Sequence, residues 1–146
     1  MYQDSKLSNQ YKTVLVLDDE FDIALVIKNP LKKEGFYVFG FTNPFLALEH
    51  FRQNMEDYCI ILSDIRMPGM NGFEFTREIR KIKPDVKVLL MTAFDINTTI
   101  FPEELLATKV NGFIQKPVSI KELKTIIQSH VKECQVLKEN RIHIDV

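Results

Sequence analysis

The chain has 146 residues, 45% of them hydrophobic, and its formal net charge is −1 from 19 basic and 20 acidic side chains. This length suits one domain with a core, and the balanced charge does not indicate a nucleic-acid-binding surface. The apolar runs are too short for membrane insertion. The polar N-terminus and the presence of only two cysteines predict a cytoplasmic protein without a disulfide framework. Cys59 is predicted to be an inert core residue.

Five short apolar runs predict buried strands, and stretches with helical spacing lie between them. The runs are Thr13–Leu17, Phe36–Phe41, Cys59–Leu62, Val86–Met91 and Gly112–Ile114. Their apolar character is continuous rather than alternating, which is typical of parallel strands covered on both faces. The repeated alternation of strand and helix therefore predicts an α/β fold with a parallel sheet between two helical layers.

The first three helices have recognisable ends. Gly35 is expected to end the first, and Pro30 is expected to kink or shorten it. Asn43 and Pro44 are typical of an N-cap and a first helical residue in the second helix. The third helix is expected to stop before Pro84.

The last part of the chain is less regular. A loop is expected through about residue 100, followed by a short helix from Pro102 to about Lys109. Ser119 and Glu122 have the spacing of a capping box that opens the final helix. The fifteen residues after Val131 either extend this helix or form a tail, and they are too few for a helix-turn-helix output domain.

Side chains that can do chemistry follow four of the five predicted strands. They are Asp18, Asp19, Asp64, Thr92 and Lys116. Ligands of parallel sheets bind beyond the carboxyl ends of the strands, so these side chains are expected to meet there. Two carboxylates about 4 Å apart repel by about 4 kcal/mol at an effective dielectric constant of about 20. A lysine offsets part of this repulsion, and a hard cation such as Mg²⁺, or alternatively Mn²⁺, offsets more. A carboxylate beside such a cation can attack phosphorus, so Asp64 is predicted to receive a phosphoryl group.

Four segments carry a family resemblance: "VLVLDDE", "LSDIRMPGMNGFEF", "VLLMTAF" and "NGFIQKP". They resemble the signature regions of response-regulator receiver domains of two-component signalling. The resemblance implies a flavodoxin-like doubly wound (βα)5 three-layer sandwich with strand order 2-1-3-4-5. It also implies an N-terminal extension at residues 1–11, a stand-alone receiver domain at 12–131 and a C-terminal extension or tail at 132–146.

The resemblance further implies a role for each acidic residue. Asp64 would accept a phosphoryl group from a sensor histidine kinase, a phosphotransfer protein or a small donor such as acetyl phosphate. Asp19, Asp64 and the backbone carbonyl of Arg66 would bind Mg²⁺ directly, and Asp18 would bind it through water. Lys116 would pair with the phosphoryl oxygens.

The resemblance also implies a conformational switch. Thr92 would move toward the new phosphoryl group, and Phe113 would turn inward behind it. An unknown downstream protein would read the change, and the chain would be a monomer or a phosphorylation-dependent homodimer. Lys116–Pro117 is similar to a family site with a cis peptide. Arg66 and Phe94 are expected to screen the phosphoaspartate from water and slow its hydrolysis.

Two other functions fit part of this pattern. A magnesium-dependent phosphohydrolase would also use Asp64 as its nucleophile, but Arg66 stands where haloacid-dehalogenase-like enzymes carry a second acid. A receiver-like interaction module without phosphotransfer would not need the full set of acids, hydroxyl and ammonium. Asp18 and Asp19 taken alone would fit helix capping. We therefore expect a phosphoacceptor signalling protein, whose chemistry is limited to phosphotransfer and autodephosphorylation.

Overall fold

The computed structural model describes residues 12–95 and 108–144, and side chains as far as residue 132. Within these residues, five parallel strands form one sheet. The strands are β1 (Thr13–Leu17), β2 (Tyr37–Phe41), β3 (Tyr58–Asp64), β4 (Lys87–Thr92) and β5 (Gly112–Gln115). Their order in the sheet is β2-β1-β3-β4-β5, which confirms the predicted topology.

The described helices form a layer on each face of the sheet. They are α1 (Phe21–Lys33), α2 (Pro44–Asn54), α3 (Gly72–Ile82) and α4 (Ile120–Ile144), and a 3-10 turn, Met55–Asp57, precedes β3. Successive side chains of a strand point to opposite faces, so β1 contributes to two cores. Val14 and Val16 pack with α1 and α4, whereas Leu15 and Leu17 pack with α2 and α3. This confirms the doubly wound fold.

Two helix ends test the sequence-based expectations. The side chain of Asn43 accepts hydrogen bonds from the N–H groups of Phe45 and Leu46, at 2.9 and 3.2 Å, so the predicted N-cap is confirmed. Of the two effects expected of Pro30, a kink or a shortened helix, the shortening is wrong, because the helix continues to Lys33, close to the end expected at Gly35. The buried side chain of Leu31 explains this continuation, since core packing outweighs the hydrogen bond that a proline removes.

Other expectations have mixed outcomes. The short helix expected from Pro102 lies outside the described residues. Cys59 is buried as predicted, but it is disulfide-bonded, so the expectation of an inert thiol is wrong. The number of cysteines in a sequence says little about which side chains approach each other in space. None of the helices in the described part of the chain has the length and apolar character that a membrane span requires.

Candidate functional site

The four strands in the middle and at one end of the sheet deliver the predicted residues to one edge. Asp18 directly follows β1, Asp64 ends β3, Thr92 ends β4 and Lys116 directly follows β5. The parallel register pairs Leu17 with Ser63, Asp64 with Met91, and Thr92 with Gln115, so the strand ends are level. The N–H of Lys116 donates to the carbonyl of Thr92 at 2.7 Å and continues the ladder beyond β5.

Three carboxylates meet at this edge. One oxygen from each of Asp18, Asp19 and Asp64 lies within 4.8 Å of the others. Asp18 is 0% exposed and Asp64 is 8% exposed, whereas Asp19 faces solvent. The two buried carboxylates have lost most of their hydration, so their mutual repulsion is larger here than it would be in water.

Lys116 binds the two buried carboxylates. Its Nζ lies 2.8 Å from Oδ2 of Asp18 and 3.4 Å from Oδ1 of Asp64. The other oxygen of Asp18 accepts a hydrogen bond of 2.9 Å from the N–H of Glu20, at the start of α1. The N-cap of α1 is Glu20, and no side chain caps the helix, so the interpretation of Asp18 and Asp19 as helix caps is wrong. Asp18 instead pairs with the lysine and orients the residue that precedes the helix.

The acid cluster alters the proton affinity of both partners. Burial, together with the charge of Asp18, raises the pKa of Asp64 to about 6, and the nearby Lys116 opposes this increase. Burial alone would lower the pKa of Lys116, but the hydrogen bond and charge of Asp18 outweigh it and raise that pKa. The site therefore holds more negative charge than its one ammonium group neutralises.

The remaining predicted residues surround this cluster. Thr92 is 2% exposed, and its hydroxyl accepts a hydrogen bond of 3.0 Å from the N–H of Phe94. Arg66, in the loop after β3, places its guanidinium carbon 4.2 Å from the centre of the Phe94 ring. Phe113 is half-buried, with its ring centre 6.3 Å from that of Phe73. The Lys116–Pro117 peptide is cis, as the resemblance implied.

Sequence reasoning missed the residues that shape the loop between β3 and α3. Asn71 accepts a hydrogen bond from the N–H of Glu74 at 2.9 Å, and the Glu74 side chain accepts one from the N–H of Asn71 at 3.3 Å. This capping box could have been found from the spacing of an Asn and a Glu three residues apart. Gly72 follows Asn71, and its N–H donates to the carbonyl of Ile65 at 2.8 Å.

Gly72 is expected to be intolerant of a side chain. A Cβ at this position would lie 2.5 Å from the backbone carbonyl oxygen of Asp64. We expect Gly72→Ala to lower the free energy of unfolding by about 1–2 kcal/mol, measured by urea denaturation, because the backbone must move. Gly40→Ala is the matched control, because its Cβ would lie at an ordinary 3.5 Å from that of Ala24. Equal losses in both variants would contradict this explanation.

The donor set at the edge fits a hard divalent cation. It consists of the three carboxylates of Asp18, Asp19 and Asp64, with oxygen atoms close enough to share one ion. Carboxylate oxygens favour Mg²⁺ and similar ions. The raised pKa of Asp64 also fits, because a cation would stabilise the ionised carboxylate that burial and the charge of Asp18 disfavour.

Comparisons with known proteins agree with this geometry. A family model described as the response regulator receiver domain matches residues 14–128. The chemotaxis protein CheY of Thermotoga maritima is 33% identical over 107 residues, which cover 73% of this chain and 86% of that protein. The two-component response regulator ARR14 of Arabidopsis thaliana is 28% identical over 133 residues, or 88% of this chain, but the chain spans 33% of the length of ARR14.

A solved structure adds a comparison at the level of the site. It is the receiver domain of a sensor histidine kinase of Pseudomonas aeruginosa, with a magnesium ion coordinated in the active site cleft. The TM-score is 0.71 at 26% identity, and the match covers 83% of this chain and 98% of that chain. Because the family match, the strand order and the acid cluster agree, the chain belongs to the response regulator receiver domain family of two-component systems.

Proposed function

We propose that the chain is a phosphorylation-dependent switch and that Asp64 is its phosphoacceptor. The observation that carries this proposal is the way the Asp64 carboxylate is held. Its Oδ1 accepts a hydrogen bond of 2.9 Å from the N–H of Ile65 and lies 3.4 Å from Nζ of Lys116. Both of these contacts involve Oδ1, so Oδ2 is the oxygen in position to attack phosphorus. The attack forms an O–P bond, and the imidazole or acetate of the phosphodonor leaves with the electron pair of its broken bond to phosphorus.

The surrounding charges suit this transfer. Phosphoryl transfer depends mainly on positioning and on neutralisation of the phosphoryl oxygens. Lys116 supplies an ammonium group for these oxygens, and Asp18, Asp19 and Asp64 would hold a Mg²⁺ ion, together with the carbonyl of Arg66. When bound, that ion supplies further neutralising charge. The chain itself fixes the carboxylate between two donors and keeps Asp18 and Lys116 paired at 2.8 Å.

A partner protein would deliver the phosphoryl group. The first turns of α1 expose Phe21 and Leu25, with 64% and 40% of each residue accessible to solvent. This apolar face begins three residues after Asp18, beside the site, and fits the surface of a histidine kinase or phosphotransfer protein. The downstream target, the location in the cytoplasm and the boundaries of the receiver unit at residues 12–131 stay predictions.

The phosphoryl group would change the conformation through Thr92 and Phe113. It brings about −2 charge in place of −1, and a hydrogen bond from Thr92 to it contributes about 1.5–3 kcal/mol. A full shift between two states requires about 5.5 kcal/mol. Thr92 must also leave its bond with the N–H of Phe94. We therefore propose a partial shift by phosphorylation alone, which a bound target completes.

Incubation with acetyl phosphate and Mg²⁺ tests the phosphoacceptor. Intact mass spectrometry is expected to show a single acid-stable, base-labile phosphoryl adduct in the wild type and none in Asp64→Asn. Asp57→Asn, which changes an exposed acid in the turn before β3, is expected to keep the adduct. An adduct that persists in Asp64→Asn would overturn the assignment. Sustained turnover of phosphate monoesters would instead favour a phosphohydrolase.

Arg66 and Phe94 are expected to lengthen the lifetime of the phosphorylated state. The Arg66 guanidinium lies over the Phe94 ring, beside the strand end that carries Thr92, and we expect this contact to restrict the approach of water. We expect Arg66→Ala and Phe94→Ala each to speed hydrolysis about two- to fivefold, in proportion to a cation–π contact of about 0.5–1 kcal/mol. The measurement is the decay of the adduct after removal of the donor. Arg66→Lys keeps the cation and is the control, and unchanged decay in both alanine variants would end the hypothesis.

A further inference from the structure

Among the residues that the structure describes, the edge of the sheet formed by β2 offers backbone groups for pairing. Tyr37 donates its N–H to the carbonyl of Lys12, and the carbonyl of Phe41 accepts from the N–H of Asp18, so these residues of β2 face β1. Backbone groups alternate in direction along a strand, so the N–H and C=O groups of Val38 and Gly40 point away from the sheet. Within the described residues, β2 has no neighbouring strand on that side. Its sequence, YVFGF, also lacks the lysine or proline that commonly protects an edge strand.

An aromatic cleft with an acidic group flanks this edge on the α2 face. A cavity of about 260 Å³ is lined by residues that include Tyr37, Phe39, His50 and Tyr58, together with Asp57. Tyr37 and Phe39 are 50% and 45% exposed. His50 is fixed in the wall, because its Nε2 lies 2.6 Å from the hydroxyl of Tyr58 and its ring centre lies 4.9 Å from that of Phe39.

The charge of Asp57 gives this cleft a preference for cations. Its charge acts on both wall residues. Burial lowers the pKa of His50, and Asp57 opposes this decrease. Burial raises the pKa of Tyr58, and Asp57 adds to this increase. No ion pair in the described part of the chain involves Asp57. Aromatic faces beside a carboxylate suit the stem and head of an arginine or lysine side chain.

A basic cleft flanks the same edge on the α1 face. A cavity of about 400 Å³ is lined by residues that include Lys28 and Lys32, together with Phe36 and Val38. Among the described residues, neither lysine forms an ion pair. This side of β2 therefore suits an acidic side chain.

We propose that the β2 edge binds an extended segment of a partner protein, as an added strand in which basic and acidic residues alternate. Successive side chains of a strand point to opposite faces, so such a segment directs its basic side chains toward the aromatic cleft that Asp57 lines and its acidic ones toward the cleft of Lys28 and Lys32. The outward groups of Val38 and Gly40 supply four hydrogen bonds to its backbone. The aromatic cleft lies at the first residues of their strands, Tyr37 and Tyr58, away from the strand ends that carry Asp64.

A second copy of the chain is a poorer occupant of this edge. Two β2 strands related by a two-fold axis would pair antiparallel and form one continuous sheet, with the same faces of both copies adjacent. Lys28 and Lys32, which line the cleft beside β2, would then lie on the same face as their counterparts in the other copy. Like charges at such an interface are destabilising, whereas a segment with alternating charge is complementary on both faces.

The probe is a short capped peptide, TVRERERVT, and its control is TVRREERVT, which has the same composition but places both charges on each face. At about 1 mM, the probe is expected to slow hydrogen exchange at the amides of Val38 and Gly40 of the full chain, as measured by NMR. The control peptide is expected to bind about tenfold more weakly. Absence of protection at both amides, or equal binding by the two peptides, would overturn the proposal.

Two variants at one position separate backbone pairing from other effects. Gly40→Pro removes an outward N–H that β1 does not use, and a proline is tolerated there because β2 is an edge strand. Gly40→Ala keeps this N–H, and its Cβ makes an ordinary contact. We expect the proline variant to lose about tenfold or more in affinity and the alanine variant to bind normally, with phosphorylation by acetyl phosphate unchanged in both.

The variants also distinguish other occupants. Asp57→Asn is expected to weaken binding of the probe more than it weakens binding of the control peptide. Equal affinity in Gly40→Pro and Gly40→Ala would show that the edge does not pair. A dimer in sedimentation that Gly40→Pro dissociates would assign the edge to a second copy and overturn the proposal.

Discussion

Replacement of Lys116 with methionine is expected to lower the free energy of unfolding of the metal-free protein by about 3–5 kcal/mol. The Lys116 ammonium lies 2.8 Å from Asp18 and 3.4 Å from Asp64. Asp18 is 0% exposed, so without the lysine a buried carboxylate has lost both water and its counter-charge. Urea denaturation near neutral pH, with a chelator present, measures this loss.

The matched control is another lysine in an ion pair. Nζ of Lys124 lies 3.1 Å from Glu34, but the two side chains are 31% and 41% exposed. Exposed ion pairs contribute little, so Lys124→Met is expected to change the free energy of unfolding by about 1 kcal/mol or less. Similar losses in the two variants would contradict the burial argument. The same Lys116 variant is also expected to accept phosphoryl groups more slowly, because the ammonium for the phosphoryl oxygens is gone.

The sequence is informative about this site because strand ends are encoded locally. The apolar run of β3 stops at Leu62, and Asp64 ends the strand. A parallel sheet levels its carboxyl ends, so residues far apart in the chain, such as Asp18 and Lys116, become neighbours once the strands are located. The order of the strands is not local information, and it came from the family resemblance.

Other features depend on competition between local preference and packing. Pro30 disfavours a helix, but the buried Leu31 keeps α1 intact to Lys33. The contact of Arg66 with Phe94 joins two loops at the ends of different strands, and no sequence spacing predicts such a contact. Likewise, the disulfide at Cys59 depends on proximity in three dimensions. Features of this kind require the fold before they can be recognised.

Replacement of Asp64 with asparagine is expected to act in the opposite direction from the Lys116 variant. The three acids repel each other within 4.8 Å, and burial with the charge of Asp18 raises the pKa of Asp64 to about 6. The amide removes one negative charge but keeps an oxygen for the N–H of Ile65. Since one pKa unit corresponds to about 1.4 kcal/mol, the free energy of unfolding is expected to rise by up to about 3 kcal/mol near neutral pH without metal.

The pH dependence identifies the cause of this stabilisation. The folded protein holds the Asp64 proton up to a pH of about 6, whereas the unfolded chain releases it near the ordinary value of 3.8. Between these two pH values the folded state binds more protons than the unfolded chain, so the free energy of unfolding of the wild type falls as the pH rises. Above a pH of about 6 it stays at this lower level. The difference in free energy of unfolding between Asp64→Asn and the wild type is therefore expected to grow from near zero at a pH of about 4 to a plateau above about 6.

The control is Asp22→Asn, which changes an exposed acid in the first turn of α1 and is expected to show no such growth. A difference for Asp64→Asn that is the same at every pH would show that the raised pKa is not its source, and a loss of stability would contradict the repulsion within the acid cluster.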